Sequence, residues 1–237
     1  MSNILVIAAH PDDEILGCGG TVVDHIRRGD NVYSVILAEG ITSRDHQRNR
    51  DVRHDQLSQL ANDAQKANDV LGVHQLIMDQ FPDNRMDQLD RLDIIKVIER
   101  LIEDIKPDTV YTHHMGDVNI DHRRIHEAVL TACRPIPGKH VVKQLLFFET
   151  VSSTEWMTPQ SAPTFNPNWF VDITNSIHTK LKALEYYSSE MREWPHPRSI
   201  KGVRTLSEWR GSTVGVHNAE AFMLGRKVLS KEEEVNN

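Results

Sequence analysis

Residues 9–14 read Ala9-His10-Pro11-Asp12-Asp13-Glu14, an imidazole and three carboxylates within five positions. Three acids packed this closely repel one another unless a cation is present. His10 and Asp13 are three apart, so a tight turn or a first helical turn sets them on one side while Asp12 points elsewhere. A divalent metal takes such N and O ligands, and two of them leave room for a third ligand and a water. A plainer reading has Asp12, Asp13 and Glu14 favouring the positive end of a following helix, with His10 incidental. Gly17, Gly19 and Gly20 raise dinucleotide binding, but the spacing is not G-x-G-x-x-G, and carboxylates would repel a pyrophosphate at that helix end.

A second group lies far off in sequence. Residues 113–122 read His113-His114-Met115-Gly116-Asp117-Val118-Asn119-Ile120-Asp121-His122: three imidazoles, two carboxylates and an amide in ten residues. His122 begins a helix, which fixes its direction and makes it the natural third ligand. Asp121, Asp117, His113 and His114 are then candidates to orient ligands or to move protons.

The elements around these groups must bring them together. Short Val/Ile/Leu runs alternate with helical patterns, the sequence form of a parallel sheet covered on both faces. Strands are expected at Asn3–Ala9, Asn31–Leu37, about Gln75–Met78, Thr109–Thr112 and Gln144–Glu149. Helices are expected at about Ile15–Arg28, Arg50–Leu71 (with Gly72 as C-cap), Leu89–Ile105 and after Asp121. The fold class is therefore α/β, a Rossmann-like, mostly parallel sheet flanked by helices. We expect one domain over 1–237, made of a core at 1–150, an appended pocket-forming region at 151–230 and a solvated, flexible tail at 231–237. Helices at about Ser176–Ser188 and Gly202–Gly211 and an apolar segment Ala219–Leu229 fall in the appended region. In doubly wound sheets ligands bind beyond the carboxyl ends of the strands where strand order reverses, between the first and fourth strands. That rule selects His10–Glu14 and His113–His122 independently of their chemistry.

Three other segments are candidate pocket walls. In Phe81–Asp87, Asp83 and Arg85 suit sugar hydroxyls or an anion, against an ordinary Pro-Asp-Asn turn. Ser43–Arg50 reads as a charged loop, solvated or substrate-facing. Met191–Ser199 carries Trp194, His196 and Arg198 between prolines that restrict its backbone. His196 is placed among the proton carriers, and the Arg198 fork matches phosphate oxygens.

Composition narrows the class. The 237 residues carry 13 histidines and a formal charge of −7, with 39% hydrophobic and 26% charged residues. No run approaches the roughly 18 apolar residues of a membrane span, and the acidic balance argues against a nucleic-acid binder. Cys18 and Cys133 suggest reduced, buried thiols. The short apolar run after Met1 lacks a basic flank, so a cytoplasmic address is expected. Homo-oligomerisation is left open, with no feature arguing for it.

Ala9-His10-Pro11-Asp12-Asp13-Glu14 and Asn119-Ile120-Asp121-His122 together resemble the two motifs of the LmbE-like, or PIG-L, de-N-acetylases, zinc-dependent amidases on a Rossmann-like fold. The resemblance spans most of the chain and implies zinc on His10, Asp13 and His122, with Fe2+ or another divalent ion as alternatives. It implies Asp12 as general base. Many members carry His at the position of Asn119, where it helps stabilise an oxyanion or protonate the leaving group. Asn119 can donate a hydrogen bond but no proton, which leaves the acid step to Asp12 or to His113, His114 or His196. The implied reaction is N-deacetylation of an N-acetylhexosamine-type sugar or conjugate, with Arg85, His114, Asn119 and Arg198 as substrate contacts. Rival readings are a metal-dependent hydrolase of another amide or ester, and a sugar- or nucleotide-binding module with a structural metal.

Overall fold

The computed structural model describes residues 1–229. Strands β1 (Asn3–Ala8), β2 (Asn31–Ala38), β3 (Gln75–Phe81), β4 (Thr109–His113), β5 (Gln144–Phe148), β6 (Trp169–Asp172) and β7 (Ala219–Lys227) form one sheet in the order β3-β2-β1-β4-β5-β7-β6. Pairings among the first five are parallel, and β7 runs antiparallel to β5 and β6. Strand order reverses between β1 and β4, so the two polar loops emerge side by side.

Helices α1 (Asp13–Arg27), α2 (His54–Leu71) and α5 (Ile177–Leu184) cover one face, and α3 (Arg91–Ile105) and α4 (Ile120–Ala132) the other. Strand β1 alternates between the two layers: Ile4 and Val6 pack with α1, Leu5 and Ile7 with α3 and α4. This is why its sequence is an unbroken apolar run rather than an alternating one. Asp90 caps α3 by accepting from the Leu92 N–H (2.9 Å). Gly72 ends α2 at φ 87°, as its C-cap position requires.

The tail at 231–237 lies outside the described residues. Strand β6 went unanticipated, since four residues on a sheet edge leave too short a pattern. Ala219–Lys227 is a strand, and with β6 it extends the same sheet. Helix α2 starts at His54 rather than Arg50, because Arg48 and Arg50 fold back onto Glu39 and Arg53 onto Asp45. Gly17 and Gly20 serve packing: a Cβ on Gly17 would stand 2.4 Å from Phe148 and one on Gly20 2.8 Å from Ile173. Helix α1 breaks at Cys18 (φ −148°, ψ 19°). At that kink the buried Lys180 donates to the Leu16 carbonyl (2.8 Å), while Glu220 accepts from the Gly20 (2.9 Å) and Thr21 (2.7 Å) N–H groups. Lys180 and Glu220 close the set at 2.6 Å.

Candidate active site

The β1 loop turns sharply. The Asp13 N–H donates to the His10 carbonyl (3.2 Å), and Asp12 takes a left-handed φ of 117°, which L side chains rarely adopt. The strain is held by Glu14, whose Oε2 accepts from the Asp12 N–H (3.1 Å). Glu14 is itself buried and fixed by donors from Asn68 Nδ2 (3.0 Å) and the Tyr187 hydroxyl (2.6 Å). Burial outweighs those hydrogen bonds and raises the Glu14 carboxyl to about 7. Asp12 precedes α1 without a side-chain capping bond. Its carboxylate is buried in the cavity wall, with Arg198 Nη1 donating at 3.2 Å.

Asp13, His10 and His122 converge. Asp13 Oδ2 lies 3.2 Å from His10 Nδ1 and 3.1 Å from His122 Nε2. Four ligands at zinc distances in a tetrahedron stand about 3.3 Å apart, so these edges match ligands of one ion. Both buried ring nitrogens of His122 lack a hydrogen bond of acceptable geometry, although Asp13 and Asp117 carboxylate oxygens each stand 3.1 Å away. That disposition fits ligands around a cation. The same three residues form a group with metal-ligand proximity. The donor set of two imidazoles and one carboxylate suits zinc.

Electrostatics agree with a site built for positive charge. Burial opposes charge on His122, but Asp13 and Asp117 outweigh it and raise the imidazole to about 9. His10 is likewise raised despite burial, by Asp121, Asp13 and Asp83. Asp13 stays well below the usual carboxylate range although buried, because His122 and His10 face it. Asp12 goes the other way, pushed well up by burial and by Asp13 against the pull of Arg198.

The carboxylates behind the imidazoles orient them. Asp121 is buried: Oδ2 lies 3.1 Å from His10 Nε2 and accepts from the Asn84 N–H (2.6 Å), while Oδ1 accepts from Met86 N–H (3.0 Å). Asp117 faces His122 Nδ1 and is held by the Ser153 and Thr154 hydroxyls. Asp83 lies 3.2 Å from His10 Nε2 and accepts from the Ser43 N–H (3.0 Å). Asp83 therefore braces His10 and also stands in the cavity wall, where the sequence suggested contact with sugar hydroxyls.

The cavity has a volume of about 210 Å³, and its wall includes His10, Asp12, Asp13, Asn119, His122 and Arg198. His113, His114, His196, Asp121 and Arg85 do not line it. His113 is fully buried and stacked on His122 at 3.8 Å; its Nε2 accepts from the Ala9 N–H (2.9 Å), and burial followed by the His122 charge depresses its pKa. His114 Nδ1 accepts from the Gly116 N–H (3.0 Å) and its ring packs on Phe165. His196 Nδ1 accepts from the Arg198 N–H (3.1 Å) with its ring on Trp156, bracing the loop that carries Arg198. Arg85 Nη2 reaches the His46 carbonyl (3.3 Å). Arg198 does reach the cavity, but its fork meets Asp12, with Glu190 4.0 Å away. Asn119 caps α4 by accepting from the Asp121 N–H (2.9 Å), which leaves only its NH₂ to donate into the cavity.

Sequence reasoning missed part of the wall: Thr150–Ser153 follows β5 and closes one side, while Ser43 and Arg44, from the charged loop that the sequence did single out, close another with Glu190 paired to Arg44 at 2.7 Å. The switch-point rule, extended by one strand to β5, would have pointed to the first of these.

The fold and the site define a Rossmann-like α/β chain with a candidate metal centre at its switch point. The PIG-L model, described as GlcNAc-PI de-N-acetylase, matches residues 5–133, more than half of the sequence, and the chain belongs to that family of deacetylases. It is 32% identical over 192 residues to the uncharacterized deacetylase YaiS of Escherichia coli K12, covering 78% of this chain and 90% of that protein. The fold is shared with the N,N'-diacetylchitobiose deacetylase of Pyrococcus horikoshii (TM-score 0.75, 21% identity, 94% of this chain and 83% of that one). It is shared equally with the 4-carboxy-2-hydroxymuconate hydratase GalB of Pseudomonas putida KT2440 (TM-score 0.73, 19% identity, 98% and 99%). Fold alone thus leaves the reaction undecided. Among the described residues, no helix is long and apolar enough to cross a membrane.

Proposed function

We propose that the protein is a zinc-dependent N-deacetylase that hydrolyses the acetamide of an N-acetylhexosamine-type sugar or conjugate. The observation that carries this reading is the pairing of a three-residue ligand set, His10, Asp13 and His122, with a buried, strained carboxylate, Asp12, on the same cavity wall. Family membership supports the acyl chemistry. A divalent ion held by those three residues supplies Lewis acidity, lowering the pKa of water and polarising an acyl oxygen.

The chain's own residues do the rest. Asp12 takes a proton from the attacking water and returns it to the departing amine. Asp12 suits both halves because burial keeps its pKa well above that of an ordinary aspartate, and Arg198 fixes its direction. Among the described residues, no histidine outside the ligand set lines the cavity, so the acid step falls to Asp12 rather than to His113, His114 or His196. The Asn119 NH₂ donates to the developing oxyanion. Asp121 and Asp83 hold His10, and Asp117 holds His122. Arg198 engages Asp12, so the phosphate expected from the sequence is not required of the substrate.

The test is acetate release from a panel of N-acetylated amino sugars, run beside bound-metal analysis for wild type and Asp12→Asn. The variant should keep its metal and lose about 10²–10⁴-fold in turnover. Unchanged turnover would remove Asp12 from its role, and no acetate from any amide would sink the reading.

A further inference from the structure

We propose that an open groove beside the active site binds an apolar aglycone, an aryl or alkyl group attached to the amino sugar; this rests on the deacetylase reading above. The groove holds about 380 Å³ and runs between the loop 194–197 and helix α6 (Ile200–Ser212). Thr150 and Val151 line both it and the catalytic cavity, so a substituent on a sugar seated against Asp12 has only one shared wall to pass. Trp194, Pro195, Pro197, Leu206 and Trp209 supply its surface, and Trp194 and Trp209 stand 51% and 63% exposed. Lys201 Nζ stands 4.5 Å over the Trp194 ring, but both indoles stay half-open, and on a groove that meets a reaction site that is a costly exposure unless something covers them.

The polar groups of the groove favour an apolar occupant over a second sugar. Glu149 is bound in bidentate fashion by Arg210 (2.7 Å to each oxygen), and Glu155 accepts from the Ser152 (2.6 Å) and Ser153 (3.2 Å) N–H groups. The Thr150 hydroxyl stands 3.3 Å from His113 Nδ1. Apart from the exposed Thr205, a pyranose laid here would bury hydroxyls against groups already partnered, which carries a desolvation cost that an aryl or alkyl group avoids.

The experiment compares kcat/KM of the zinc-loaded full chain on three glycosides of N-acetylglucosamine: methyl, phenyl and a second N-acetylglucosamine. Wild type should prefer phenyl to methyl by about tenfold, the scale expected for burying one ring. Trp209→Ala and Trp194→Ala, both at exposed positions, should each bring that ratio toward one. Acetate from methyl and phenyl glycosides at equal efficiency would overturn the groove while leaving the deacetylase reading intact. A preference for the disaccharide over phenyl would also overturn it, assigning the groove to a sugar. Acetate from none of the three would overturn both.

Discussion

Helix α1 touches two sets of buried charge, one at its first turn and one at its kink, and they are built differently. At the kink, Glu220 accepts from Gly20, Thr21 and Lys180, and Lys180 also donates to Leu16; both charges are matched inside the protein, and the neutral Thr21 hydroxyl alone lacks a partner there. At the first turn, His10 and His122 crowd a single Asp13 oxygen, and neither His122 nitrogen has a hydrogen bond of good geometry. Burial and charge are common to both. What separates a structural cluster from a functional one is whether donors and acceptors count out without a further atom. The kink set replaces hydrogen bonds lost to a broken helix, whereas we propose that a cation completes the first-turn set.

The comparison can be broken by removing one member of each. Asp13→Ala should abolish metal retention and reduce hydrolysis by at least about 10³-fold while the chain stays folded, read by metal content, kinetics and circular dichroism. Lys180→Met should do the reverse. Leaving Glu220 buried without its partner costs about 3–5 kcal/mol, lowering Tm by roughly 10 °C, with kcat per folded molecule unchanged. Loss of metal in Lys180→Met, with Tm preserved, would erase the distinction. Asp121→Asn is a smaller probe: it keeps shape but weakens the hold on His10, and metal affinity should fall about 10–100-fold by chelator competition. The smallest effect concerns thiols. Burial pushes Cys133 up to about 12 and Cys18, at the kink, well above its usual value. A thiol reagent at pH 8 should therefore find neither in the native protein and both after unfolding; rapid reaction at Cys18 alone would show that the kink opens.

The sequence was most legible where physics acts locally. An unbroken apolar β1 and the switch-point rule pointed to the candidate metal centre, because ligand chemistry must sit at strand ends that topology brings together. Roles set by distant contacts were hidden. Nothing in the spacing shows that Arg198 meets Asp12, that Tyr187 and Asn68 hold Glu14, or that His113 faces the Ala9 amide rather than the cavity. A histidine-rich loop advertises imidazoles without saying which are spent on backbone. Strand β6 was hidden for another reason, as an edge strand of four residues carries too little periodicity to read.

We propose that the first-turn cluster is completed by one divalent ion. Titrating the metal-stripped chain with zinc in a calorimeter tests it directly. We predict one ion per chain, bound with an affinity that weakens as pH falls below about 9, since the proton held on His122 must leave before it can ligate, and lost in Asp13→Ala. Absence of binding, or undiminished binding by Asp13→Ala, would contradict the account.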